Sequence, residues 1–267
     1  MISLLQVQKF RGKTGDNMAD KNYLHTAYAK SADGTDGFTT VYPNLNLLDG
    51  SKKYTKEHPY ILSSNAEDGW AWLGDVHAKN LKPGTYTLSA KSDAPWTGST
   101  VGGAYREGKV GLWLISTQTW EWINLDTVPQ TIEVHKEGDY FIRVNVYSNG
   151  TEVVTHSFWD FKLDQGSTAT PHMPSASEVT TADWPKYVGT YVDTNPTSSM
   201  EPSKYVWDEM KYRVYLDGVP VGGSKLLSFD LENLKAGTSY NVQVSQINGN
   251  VESDKSESVA FKTTLPK

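Results

Sequence analysis

The chain has 267 residues, no cysteine, nine tryptophans and 15 tyrosines against seven phenylalanines, and a formal net charge of −6. That length suits one large or two medium domains of roughly 100–200 residues, and the missing cysteine excludes disulfide frameworks, thiolate metal sites and cysteine nucleophiles. Charges of both signs are interspersed without a basic stripe, which argues against nucleic acid; no run reaches the roughly 20 apolar residues of a spanning helix, so no membrane insertion is expected.

In chain order, "MISLLQVQKFRGKTGDN" begins with a short apolar run, but charge follows at once and no small-residue cleavage site appears, so no export signal is expected. Helical periodicity is then nearly absent. Runs with period-two alternation stop at Gly, Asn, Asp or Pro and predict strands at 23–29, 69–76, 84–92, 109–116, 119–125, 130–136, 139–148 and 157–164. No helix-length crossovers separate the strands, so packed antiparallel sheets are expected. The Ser/Thr/Pro-rich stretch 167–185 reads as a linker. Further strands follow at 186–193, 210–218, 226–231, 239–248 and 258–264. The class is all-β, an antiparallel sandwich followed by a smaller β module.

Alternation assigns the faces. Tyr86, Leu88 and Ala90 share one side of "GTYTLSAKS", and Ile142, Val144 and Val146 one side of "DYFIRVNVYS"; both sides should face the core. The second strand then presents Phe141, Arg143, Asn145 and Tyr147 on its other face. Such a row suits a sugar, because an aromatic plane meets the C–H face of a pyranose while amide and guanidinium groups pair its hydroxyls. Trp70 and Trp72 have the same parity, as do Trp120 and Trp122. Either pair could fill the core, but at roughly 150–250 Å² per ring both would overfill a small sandwich. The polar turn "STQT" before Trp120 favours a surface role for that pair. Trp96 and Tyr105 read as loop aromatics, whereas Trp113, Trp159, Phe161 and Leu163 read as packing residues.

Several segments in a fixed order carry a resemblance. "NLNLL", "LKPGTYTLSAKS", "DYFIRVNVYSNG" and the closing "FWDFKLDQG" resemble carbohydrate-binding jelly rolls of the family 4/9/22 type. The flanks "KNYLHTAYAKSADGTDGFTT" and "MPSASEVTTADWPKYVGTYVDTNPTSSMEPSKYVW" resemble BppA-like accessory baseplate or tail proteins of siphophages infecting lactic acid bacteria. The C-terminal "LENLKAGTSYNVQVSQINGNVESDKSESVAFKTT" resembles the last strands of a fibronectin type III domain, with Tyr240 placed for a tyrosine corner. The first strands of that fold are not recognisable.

The resemblance implies an N-terminal arm and attachment strand over 1–40, a carbohydrate-binding jelly roll over 41–166, the linker 167–185, and a fibronectin III-like attachment module over 186–267. The jelly roll is inserted into, or directly follows, the smaller module. It also implies a non-catalytic virion protein at the tail tip or baseplate, acting at the bacterial surface. Its partners would be host cell-wall polysaccharide and other baseplate proteins. A structural spacer without ligand, or the binding module of a secreted glycanase, are the alternatives. The saccharide-contacting set is read as Trp72, Trp96, Tyr105, Trp120, Trp122, Arg143, Asn145 and Tyr147, with sheet face and loop edge both open as the site. No cofactor is required. In the jelly-roll family the closing-strand Asp helps hold a structural calcium, which implies a metal role for Asp160; a turn cap or an ion pair with Lys91 or Lys162 is the alternative reading. The six histidines are scattered singly, without HExxH or G-x-S-x-G. Glu67, Asp68 and Asp75 could supply a carboxyl pair, but among 31 acidic residues such neighbours are expected by chance.

Overall fold

The computed structural model describes residues 22–98, 106–249 and 251–264. It is all-β and divides into two units, one of Leu45–Thr180 and one assembled from both chain ends, up to Asn44 and from Thr181 onward. The strands before residue 45 are β1 (Tyr23–Ala29) and β2 (Phe38–Thr39). In the middle of the chain lie β3 (Tyr60–Ser64), β4 (Gly69–Leu81), β5 (Gly84–Ser92), β6 (Val110–Ser116), β7 (Glu121–Asn124), β8 (Gln130–Val134), β9 (Gly138–Val146) and β10 (Val154–Gln165). Then come β11 (Tyr187–Asp193), β12 (Val206–Glu209), β13 (Tyr212–Leu216), β14 (Val219–Ser224), β15 (Ser239–Asn248), β16 (Val251–Glu252) and β17 (Val259–Lys262).

Leu45–Thr180 is a sandwich of two antiparallel four-stranded sheets, β3-β10-β5-β8 and β4-β9-β6-β7. The core takes one side of each strand: Leu73 and Val76 from β4, Leu88 from β5, Leu112 and Leu114 from β6, and Ile142, Val144 and Val146 from β9. In β10, Phe158 and Phe161 are both buried although they are three apart. A bulge makes this work. The ladder with β5 shifts between Trp159 and Lys162, and Asp160 adopts a φ of 54°, a left-handed conformation that Asp tolerates better than most residues.

The stretch expected to be a linker is different. Residues up to 180 belong to the sandwich: Thr170 donates through its N–H and hydroxyl to Asp164, and Met173 and Ser175 are buried. "NLNLL" is held there without forming a regular strand. Asn46 donates its N–H to Pro174 O and its Nδ2 to Ser51 and Phe161 O, while its Oδ1 accepts from the N–H groups of Leu48 and Leu163. A buried amide with all of these partners ties both ends of the unit to β10.

In the other unit, β1 pairs with β11 along its whole length, from Tyr23 opposite Asp193 to Ala29 opposite Tyr187. Segments from before and after the sandwich therefore share one sheet, β12-β11-β1-β2. A second sheet has the order β14-β13-β15-β16, with β17 also on β15. Residues 226–231, expected as a strand, lie in an irregular segment, and Leu226 and Leu227 are exposed. Tyr240 OH accepts the N–H of Lys235 at 2.9 Å, the contact a tyrosine corner makes.

Candidate functional site

The outer face of β4-β9-β6-β7 is built by register. Trp70, Asn145 and Gly111 lie side by side on β4, β9 and β6; the next row is Trp72, Arg143, Trp113 and, on β7, Asn124. Ile115 opposes both Phe141 and Trp122 in the row after that. Directly opposed residues stand about 4.5–5.5 Å apart, so each row is a contiguous strip of side chains.

Arg143 is the centre of this face. Its guanidinium carbon lies 4.8 Å from the Trp70 ring, 5.2 Å from Trp113 and 5.7 Å from Trp122, within cation–π range of all three. Nε donates to Asn145 Oδ1 at 3.1 Å, and Asn145 Nδ2 donates to Asp68 at 2.5 Å. Burial pulls the Arg143 pKa below its ordinary value, and the charge of Asp68 pulls against that. Trp70, Trp72 and Trp122 are 52%, 42% and 42% exposed, whereas Arg143 is 8% exposed. Open indole rings thus surround a recessed polar floor.

Tyr147 continues the Arg143–Asn145 row and is buried. It has room because β6 carries Gly111 there: a Cβ at that position would stand 2.7 Å from the Tyr147 hydroxyl. The Arg106 guanidinium lies over the Tyr147 ring at 4.7 Å. Among the described residues, Trp113 Nε1 and Asn124 Oδ1 are buried without a hydrogen-bond partner, while Arg106 engages the Tyr147 hydroxyl. Each unpaired group costs about 1–3 kcal/mol unless something pairs it. Trp113 and Asn124 are direct partners across β6 and β7, which makes this row the candidate site.

Trp122 is aimed by its neighbour. Glu121, of opposite parity, accepts from the N–H groups of His135 and Lys136 and from Tyr140 OH, fixing β7 against the β8–β9 turn. Burial alone would raise the Glu121 carboxyl, but these hydrogen bonds outweigh it and hold the pKa below the ordinary value. The Tyr140 hydroxyl is pushed up to about 12, mainly by burial and then by Glu121.

Of the residues singled out from sequence, Trp72, Trp122, Arg143, Asn145 and Tyr147 come together on this face. Trp96 does not. It bridges to Val110 and packs its ring 6.0 Å from Phe158 against the core. Trp120 is 75% exposed in the β6–β7 turn with a φ of 56°, so strand alternation does not place it beside Trp122. Tyr105 lies outside the described residues. Trp113, read as a packing residue, belongs to the face instead. The readable signal was parity: Leu112 and Leu114 take the core side of β6 and leave Trp113 opposite. Trp70 follows from Trp72 in the same way.

Asp160 meets a cation already on the chain, Lys91 Nζ at 3.0 Å, and its N–H donates to Tyr54 O. Among the described residues, no group of three or more His, Asp or Glu side chains is arranged to hold a metal. The ion pair with Lys91 is the alternative reading that the sequence offered for Asp160. Asp75 is paired with Lys53, and Asp68 with Asn145. His25 contacts Ser198 Oγ through Nδ1 at 3.1 Å and Asp193 through Nε2 at 3.0 Å, a Ser–His–Asp connection that sequence spacing did not suggest. The ring is buried, stacks on Tyr191 at 4.6 Å and also contacts Asn195 O, so it anchors the loop after β11.

A family model described as "BppU-like_C: Minor structural protein 5-like, C-terminal domain" matches residues 185–243. Among solved structures, the tripod (BppUct-A-L) from the baseplate of bacteriophage Tuc2009 is 50% identical, covering 94% of this chain and 100% of that one, with a TM-score of 0.69. A β-1,2-glucanase from Parabacteroides distasonis aligns at 12% identity over 93% of this chain and 37% of its own, and its TM-score of 0.22 carries no argument. No curated protein matches the chain.

Proposed function

The chain belongs to the family of phage baseplate proteins represented in the Tuc2009 tripod, and from that premise we propose that it is a non-catalytic adhesin whose outer sheet face binds host cell-wall saccharide. Its place is the virion baseplate, where it would assemble with other baseplate proteins as the tripod components do. The observation that carries this reading is the indole ring set around Arg143, with buried polar atoms that no protein group pairs. Exposed indoles supply stacking planes for pyranose C–H faces, and the floor supplies directional polar groups. A shallow site of this kind binds with a dissociation constant near or above micromolar, roughly −4 to −8 kcal/mol. Several copies on one virion would convert that into firm attachment by multivalency.

The full chain, multimerised on a fluorescent scaffold, should label susceptible bacterial cells. The Trp70→Ala/Trp122→Ala double variant should dim them at least about tenfold, the usual scale for losing binding hot spots. Dark cells with a folded wild-type multimer would favour a structural spacer instead.

A further inference from the structure

The chain holds two Asn-Gly steps, Asn149-Gly150 and Asn248-Gly249, and the fold treats them differently. In such a step the backbone nitrogen of the glycine can attack the asparagine side-chain carbonyl, because no Cβ obstructs the approach. The nitrogen gives up its proton and bonds to Cγ, the Cγ–Nδ2 bond breaks, and ammonia leaves behind a succinimide ring. Water then opens one of the two imide bonds. Cleavage at Cγ gives aspartate; cleavage at the main-chain carbonyl gives isoaspartate, whose backbone runs through Cβ and Cγ. At Asn149 this chemistry is held off. Its Oδ1 accepts from the Thr151 N–H, the Thr151 hydroxyl and the Glu152 N–H, which fixes the side chain in a turn. The attacking nitrogen, that of Gly150, has its proton committed to Ser148 Oγ at 3.1 Å.

Asn248 is placed differently. It is the exposed last residue of β15, paired with Val251 across the hairpin to β16, and Gly249 turns the chain at a φ of 60°. Among the described residues, no group hydrogen-bonds the Asn248 side-chain amide or the Gly249 N–H. The second strand of this hairpin is only Val251–Glu252, and Ile247 opposes Glu252 there. Glu252 in turn accepts from Arg213, Tyr215 and Ser245. Isoaspartate lengthens the main chain by one carbon at the foot of the turn, and loop length is what fixes the register of a hairpin. We propose that Asn248 is a self-modification site of this chain, deamidating through a succinimide, and that its isoaspartate product frees β16 and draws Glu252 away from Arg213. The unit built from the two chain ends then loses stability as the protein ages.

The test ages the full chain in mildly alkaline buffer, both folded and in urea, and follows each Asn-Gly peptide by mass spectrometry. An isoaspartate-specific methyltransferase counts the isomer. In the folded chain the Asn248 peptide should convert at least about tenfold faster than the Asn149 peptide, a difference of about 1.4 kcal/mol in barrier, and urea should bring the two rates together. Asn248→Gln, with a longer side chain that closes the ring far more slowly, should lose this conversion and hold its melting temperature on ageing. Aged wild type should melt lower as its isoaspartate content grows. Freshly made Asn248→Asp adds the charge without the extra carbon and should melt with fresh wild type. Equal conversion of the two peptides in the folded chain, or faster conversion of Asn149, would overturn the site. Isoaspartate at this position with no loss of melting temperature would overturn the release of β16.

Discussion

Each unit buries an arginine against tryptophan, and the two are solved differently. Arg213 lies 4.6 Å from the Trp184 ring, donates through Nε to Tyr42 OH at 3.0 Å and through Nη1 to Glu252, which also accepts from Tyr215 and Ser245. Among the described residues, Arg143 has three indole rings, one hydrogen bond to an amide and no carboxylate in direct contact, the charge of Asp68 acting on it from farther away. Burial lowers both pKa values. At Arg213 the charges of Tyr42 and Glu252 reverse that and raise it, whereas Arg143 stays lowered. Held by Tyr42 and Glu252, Arg213 is part of the architecture, whereas Arg143 lies among open indoles and under the proposed function is the group that would meet saccharide.

The largest expected effect tests this directly. Arg213→Met would leave Glu252 facing Tyr215 and Ser245 without its cation, and breaking a buried pair from one side costs about 3–5 kcal/mol. Chemical unfolding of the full chain should show that loss in the transition of this unit. Arg143→Met should cost about 1 kcal/mol or less, because the ring contacts it gives up are replaced by apolar ones, while cell labelling is lost. Equal destabilisation by the two variants would break the comparison.

A third buried cation sharpens it. Lys162 lies fully buried in β10, bonded to Asp164, Thr170 and Pro171 O. Burial outweighs Asp164 and lowers its pKa from 10.5 to about 8. The unfolded chain then holds this proton to higher pH than the folded one, so stability should rise between about pH 8 and 10.5, by on the order of a few kcal/mol. Urea midpoints measured across that window should rise more in the wild type than in Lys162→Met, the difference separating Lys162 from raised tyrosines such as Tyr140.

Much of this was legible because alternation is robust where one side of a strand is a core. Ile142, Val144 and Val146 left Arg143, Asn145 and Tyr147 no other face. The failures share a cause, local backbone that breaks period two. Trp120 sits in a turn at positive φ, and the Asp160 bulge brings Phe158 and Phe161 to the same side. Trp96 looked like a loop ornament because its bridge to Val110 is one residue long and leaves no pattern. Arg106 and Asn124 join the face only through cross-strand geometry, which no linear spacing encodes.

The smallest expected effect concerns how the face is held, and it separates scaffold from ligand contact. Glu121 touches no ring of the site, yet it pins the strand that carries Trp122. Its folded-state pKa is lowered, so its contribution is complete above the unfolded value of about 4.3 and is lost as pH falls through the folded value. As pH falls through that lowered value, the protonated carboxyl gives up acceptor capacity toward His135, Lys136 and Tyr140, and β7 should loosen at a cost of about 1 kcal/mol. The Trp122 indole signal should broaden in that range while that of Trp70, on β4, stays sharp. Glu121→Gln should show the same broadening at neutral pH. If Trp70 and Trp122 respond together, the acid effect belongs to the whole face and the positioning role of Glu121 is wrong.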